Sequence, residues 1–325
     1  MRRGAKIAAV GVTAALAVGA VVAHDPYLLV RAHYERQRVM AGLAEDSIDV
    51  AGHCWVYAHV DEAPAGAPTL VMLHGFTGSK ENWYPLAQRL RGRYRLLVPD
   101  LPGWGESERR PDTDYGYAAQ AARTAEFIAR IAGTDGVVLL GHSMGGGIAA
   151  LVAARHPQLV DRVGMLAASG VLFEGNAFGH EVLAGDNPFA VSDAASLRGY
   201  LDILFHRAGS RPWIPWPASR GMIRKRRADA AFEQSVLERI GRGPDRFLPG
   251  VEADGIDQPA LLLWGRQDAV IDPSALAAYA AEMPQARQVL VDDAGHMALM
   301  ERPDEVAAAL VALVEQPHIG EESER

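Results

Sequence analysis

Cysteine is almost absent from this 325-residue chain, where Cys54 stands alone. A single thiol excludes an intramolecular disulfide and a cysteine-rich metal site. Excess positive charge is also missing: 32 Lys and Arg face 40 Asp and Glu, a formal charge of −8. So acidic a chain is a poor partner for nucleic acid. The histidines follow no metal-ligand spacing, so neither a metal nor another cofactor is expected. There is no internal repeat, and no low-complexity tract beyond alanine-rich helical stretches. What remains is the length and apolar content of one large α/β domain carrying an insertion.

Charge is also lacking from Ile7 to Ala23, an apolar run preceded by Arg2, Arg3 and Lys6. Such a run is a targeting or membrane segment rather than part of a fold. We read it as an N-terminal membrane anchor, near the short limit for a span. Basic residues at its start stay in the cytoplasm and put the folded domain on the extracytoplasmic, periplasmic side. The alternative is a signal peptide cleaved after Val21-Val22-Ala23, which leaves the protein periplasmic or secreted. Tyr27 to Leu43 reads as a helix, lying on the bilayer surface or serving as a solvated linker.

Ser47 to Val50 and Cys54 to Val60 alternate around Gly52 and read as an edge hairpin. Six further strands are expected: Thr69 to Leu73, Tyr94 to Val98, Val137 to Leu140, Val163 to Ala168, Pro259 to Trp264 and Arg287 to Val291. Several are continuous apolar runs, as befits strands buried on both faces. Helical segments fall between them, including Tyr117 to Ile131, Pro273 to Met283 and Pro303 to Val314. The result is a mostly parallel eight-stranded sheet with helices on both faces. Gly170 to Pro249 interrupts this alternation at a length too great for a plain loop, and is expected to be a helical cap. The chain then divides into an N-terminal segment over 1–46, a core over 47–170 and 250–316, a cap over 171–249, and a frayed tail over 317–325.

The chemistry centres on Val137-Val138-Leu139-Leu140-Gly141-His142-Ser143-Met144-Gly145-Gly146-Gly147. A strand runs into Gly-x-Ser-x-Gly, and an apolar helix follows. That context makes Ser143 the nucleophile at the tip of a strained turn with positive φ. Gly141 and Gly145 sit where the backbone passes too close for a Cβ. A base is expected after the last strand, where Ala294-Gly295-His296-Met297 supplies His296. Asp268 ends the strand before it, and we assign it as the acid that orients His296. Asp272, ahead of Pro273, reads as a helix cap. Asp292 and Asp293 are the neighbouring rivals for the acid's role. The backbone N–H groups of Met144 and Phe76 are the expected oxyanion hole. Substrate-binding roles go to His142, which shapes the pocket, and to Trp213 and Trp216. Those two tryptophans could instead be cap core or sit at a membrane interface. His74 and Asp100 read as bracing residues. The basic run Arg224 to Arg227 reads as a solvated helix face, with contact to anionic lipid as the alternative.

With these motifs in place, the chain resembles the α/β-hydrolase family. The resemblance rests on His74-Gly75-Phe76, Asp100-Leu101-Pro102-Gly103-Trp104-Gly105, Gly141-His142-Ser143-Met144-Gly145, Trp264-Gly265-Arg266-Gln267-Asp268, and Gly295-His296 with Met300-Glu301-Arg302-Pro303 after it. Within the family it is similar to membrane-anchored monoacylglycerol lipases and to small bacterial lipases with an N-terminal hydrophobic helix. This implies hydrolysis of acylglycerols or other fatty-acyl esters through an acyl-enzyme. Another triad hydrolase, cleaving carbon–carbon bonds or amides, is the alternative reading.

Overall fold

The computed structural model describes residues 19–60, 62–132 and 136–316. The first strand pair runs antiparallel, β1 (Ala44–Val50) against β2 (His53–Val60), from Ala44↔His59 to Val50↔His53. Strands β3 (Thr69–Leu73), β4 (Arg95–Pro99), β5 (Val137–His142), β6 (Val160–Leu166), β7 (Ala260–Gly265) and β8 (Arg287–Val291) complete one eight-stranded sheet. Its order is β1-β2-β4-β3-β5-β6-β7-β8. The β2–β4 pair is antiparallel, and from β4 to β8 every pair is parallel.

Burial follows position in that order. Every residue of β5 and β7 is buried, as expected of strands covered on both faces. At the edges, β1 buries only Val50 and β8 only Val291. The edge strand β1 starts three residues earlier than the apolar alternation predicts. Its polar Ala44-Glu45-Asp46 is held by backbone pairing to β2 rather than by side-chain burial. Strand β6 ends at Leu166, because Ala167 takes a φ of 46° and turns the chain out of the sheet.

Helix α1 (Leu28–Ala41) precedes the sheet, and α2 (Tyr84–Leu90), α3 (Tyr117–Ala132) and α4 (Met144–Arg155) follow the successive strands. Between β6 and β7 lie α5 (Ala177–Ala184), α6 (Ala194–Leu204) and α7 (Ala218–Leu237). Helix α8 (Ser274–Glu282) and helix α9 (Pro303–Val314) close the chain. Helix α9 buries Val306, Leu310 and Leu313 over β6–β8. Proline at its first position fits, since that N–H would lack a partner in any case.

The N-terminal segment is not free of the rest. Helix α1 packs on α2 and α7. Ahead of it, Arg224 of α7 donates to the His24 carbonyl and to Asp25. A Cβ on Gly221 would collide with the backbone of Pro26 and Tyr27. The helix expected over Tyr27 to Leu43 is therefore docked on the protein, which neither the bilayer-surface nor the linker reading anticipates. The expected anchor lies outside the described residues up to residue 18, as does the tail from residue 317. Among the described residues no helix is long and apolar enough to cross a membrane.

Candidate active site

Strand β5 delivers Ser143 to the C-terminal edge of the sheet, and α4 begins immediately after it. Ser143 has φ 55° and ψ −119°, a conformation that few non-glycine residues adopt. The turn holds because its surroundings fix it. The Ser143 N–H donates to the Leu166 carbonyl, and the Ser143 carbonyl accepts from Gly146 and Ser169. A Cβ on Gly145 would collide with the carbonyls of Leu73 and His74, and one on Gly141 with the Gly145 carbonyl. The sequence between serine and strand thus reflects space, as expected.

The loop after β3 comes equally close. A Cβ on Gly75 would stand 2.9 Å from the Ser143 Cβ. That approach brings Phe76, the next residue, beside the elbow. His74 fixes the loop from behind: its Nε2 accepts from the Leu101 N–H at 3.0 Å and its Nδ1–H donates to the Gly75 carbonyl at 2.8 Å. Burial pushes the His74 pKa down, which keeps the ring neutral for this double role.

Asp268 and His296 meet after leaving separate strands. The Nδ1–H of His296 donates to Asp268 Oδ2 at 2.8 Å. The other oxygen, Oδ1, accepts from the Val270 and Ile271 N–H groups at 2.8 and 3.0 Å. Both side chains are buried. The carboxylate is thus fully engaged and the imidazole held in one tautomer, with Nε2 facing away from Asp268. The rivals lie elsewhere. Asp272 accepts from the Ser274 N–H at the start of α8, as a cap does. Asp292 pairs with Arg266, and Asp293 with Arg302 and Arg207, all at the surface.

His142 does not line the substrate cavity. It lies under the base: its Nε2–H donates to the His296 carbonyl at 2.9 Å, and the two rings sit 4.7 Å apart. Burial, with the neighbouring His296 adding to it, pushes the His142 pKa down to about 3. A neutral ring is what a donor packed beside a base requires. His142 thereby ties the nucleophile's own strand end to the base loop.

Sequence reasoning gave no role to Glu301. Its buried carboxylate accepts from the Gly295 N–H through Oε1 and from the Arg207 N–H through Oε2, each at 2.7 Å. It joins the loop bearing His296 to the chain that follows α6. Its stretch Met300-Glu301-Arg302-Pro303 is part of the family resemblance, but nothing in the spacing says what the carboxylate holds. Lys80 was also missed. It is fully buried and bonds Asp100 and Glu106 at 2.8 Å each, while the Lys80 N–H donates to Asp100. Asp100, expected to brace a turn, is the partner that retains Lys80.

Ser143 opens onto a cavity of about 340 Å³ whose walls include Met144, Phe76, Phe178, Phe189, Ile240 and Val270. The walls are overwhelmingly apolar, and helices α5 and α7 contribute to them. At the back, the Tyr117 hydroxyl lies 2.7 Å from Ser169 Oγ. Phe189 stacks obliquely on Phe178, with centroids 4.6 Å apart. Trp213 and Trp216 are absent from these walls. They stand 86% and 78% exposed, so both the substrate-binding expectation and the cap-core alternative fail. The reason is local: Trp213 and Trp216 alternate with Pro212, Pro215 and Pro217 on an irregular link between α6 and α7, which no packed face can follow.

Comparisons with known proteins agree with this geometry. Residues 70–309 match the Alpha/beta hydrolase family. Lipase 1 of Psychrobacter immobilis is 28% identical over 276 residues, covering 84% of this chain and 84% of the lipase. Monoacylglycerol lipase ABHD6 of Bos taurus is 25% identical over 333 residues, covering 97% and 96%. Among solved structures, a membrane phospholipase A superposes with a TM-score of 0.83 at 32% identity, covering 95% of this chain and 98% of that one.

Proposed function

The chain belongs to the alpha/beta hydrolase family, and from that premise we propose that it cleaves fatty-acyl esters through an acyl-enzyme on Ser143. It is an ester-cleaving serine hydrolase, as its lipase relatives indicate. The observation that carries the acyl reading is the apolar cavity onto which Ser143 opens. Cavities of this size suit a small lipid-like ligand.

Ser143 Oγ attacks the acyl carbonyl carbon and gives its proton to His296 Nε2. Asp268 holds the Nδ1–H and stabilises the imidazolium that results. The negative oxygen of the tetrahedral intermediate is received by the N–H groups of Met144 and Phe76, both beside Ser143. On collapse the C–O bond to the alcohol breaks, and the alcohol leaves with the proton from His296. A water then attacks the acyl-enzyme, with His296 again the base, and frees the acid and the serine hydroxyl. Supporting this assignment are the strained elbow at Ser143, the Asp268–His296 hydrogen bond and the His142 link between serine and base. The 171–249 stretch is the cap of this scheme, and its Trp213 and Trp216 take no part in lining the cavity.

The catalytic unit works at a bilayer, on its extracytoplasmic side. Support comes from the basic start and apolar run before residue 24, and from the similarity to a membrane phospholipase.

The test is Ser143→Ala. It should abolish cleavage of p-nitrophenyl acyl esters and labelling by a fluorophosphonate probe, with circular dichroism unchanged. Residual labelling of the variant would place the nucleophile elsewhere.

A further inference from the structure

Arg211 to Arg227 carries six cations, two tryptophans and no acid, within a chain of net charge −8. The two tryptophans are the most exposed large apolar side chains among the described residues. The other four, Trp55, Trp83, Trp104 and Trp264, are buried. Exposing two indoles to water is costly, and an aromatic pair beside arginines is the composition of a membrane–water interface.

Position adds a second argument. The N-terminal end of α7 follows the tryptophan link directly, and it is also where residues 24–27 dock, through Gly221 and Arg224. Val21, three residues ahead of this contact, is itself exposed. Residues 24–27 and the tryptophan link therefore meet α7 at the same end. Charge agrees: neither Arg220 nor Arg227 is held in a close ion pair among the described residues, although Asp193 lies within electrostatic reach of Arg227. Anionic head groups are their natural complement.

We propose that Trp213 and Trp216 form a second membrane contact, inserting at the head-group level of an anionic bilayer beside the N-terminal segment. The contact builds on the membrane reading above, yet it is separable from it. The N-terminal segment sets whether the protein is attached, whereas the tryptophan link sets how the catalytic unit is oriented on the surface.

The buried state of the other four tryptophans makes the test direct. The full-length protein is mixed with phosphatidylcholine vesicles containing phosphatidylglycerol, brominated high on the acyl chain. Tryptophan emission should shift to the blue and be quenched by bromine. Trp213→Tyr with Trp216→Tyr should remove the quenching, while co-sedimentation with the vesicles and hydrolysis of a short soluble ester persist. Vesicles of phosphatidylcholine alone should quench less. Co-sedimentation without quenching would overturn the proposal and leave the anchor intact. Failure to co-sediment would overturn both. Equal quenching by neutral vesicles would overturn the role of the arginines. A blue shift with rising protein concentration in the absence of vesicles would show that a second copy of the chain, not lipid, covers the tryptophans.

Discussion

Two histidines stand side by side, and their surroundings give them different work. His296 has a carboxylate on one nitrogen, whereas the hydrogen bond of buried His142 goes to a backbone carbonyl. Asp268→Asn should therefore lower kcat by about 10⁴-fold while leaving the structure intact, since an amide no longer selects the tautomer. Steady-state kinetics with p-nitrophenyl esters measures this; a loss under tenfold would remove Asp268 from the mechanism. His142 makes a prediction of a different kind. Its pKa is about 3 in the folded protein and about 6.5 in an unfolded chain. As pH falls below about 6.5 the unfolded chain takes up the proton first, so stability present at neutral pH drains away toward pH 3. His142→Asn should flatten that loss by about one proton per molecule, read as a shallower slope of unfolding free energy between about pH 4 and 6. An unchanged slope would mean that His142 titrates normally.

At the scale of elements, the site depends on close packing of backbone. Gly145→Ala should leave little soluble, active protein, because the new methyl meets the main-chain carbonyls of β3 rather than a side chain that can swing away. Thermal unfolding and ester turnover of the recovered fraction are the measurements. The loop after β4 rests instead on a buried ion pair. Lys80→Met strands the Asp100 carboxylate without its cation and should cost about 3–5 kcal/mol, measured by denaturant unfolding. A loss below about 1 kcal/mol would show that the backbone donors alone satisfy Asp100.

These elements also show what the sequence makes legible. Strand, elbow and helix were readable because Gly-x-Ser-x-Gly is set by a local backbone collision, and a local cause leaves a local pattern. Asp268 and His296 were readable because each follows closely on the end of a strand, β7 at Gly265 and β8 at Val291. The roles of Glu301 and Lys80 were hidden. Each has a partner distant in the chain, Asp100 at 20 residues from Lys80 and Arg207 at 94 from Glu301, and a buried charge looks like a surface one until its partner is known. His142 and the two tryptophans were misread for a related reason. Being near the nucleophile in sequence, or aromatic within a cap, says nothing of which way a side chain points. The docking of residues 24–27 on α7 left no periodic signal either, since it uses one small residue, Gly221, and one arginine, Arg224.

For the molecule as a whole, specificity should reside in the inserted helices. Phe178 and Phe189 stack across one wall of the cavity. Phe178→Ala should extend the cavity and move the preferred acyl chain to greater length. The gain is about fourfold in relative kcat/KM per methylene newly accommodated, from about 0.8 kcal/mol each. A series of p-nitrophenyl esters of increasing chain length would reveal it. An unshifted optimum would mean that the acyl chain leaves by another route. Overall rate on the shortest ester should be little changed, since Phe178 makes no hydrogen bond to the residues that move the proton.

The grip of Arg224 on His24 and Asp25 has a practical corollary. Whatever tugs, trims or tags the leading end of the polypeptide also handles the long helix that walls the acyl pocket. A preparation shortened to begin near Leu28 leaves that guanidinium without its two acceptors and bares the notch at Gly221. Its catalytic constants would then describe a protein whose α7 has lost these contacts, not the native catalyst merely made shorter.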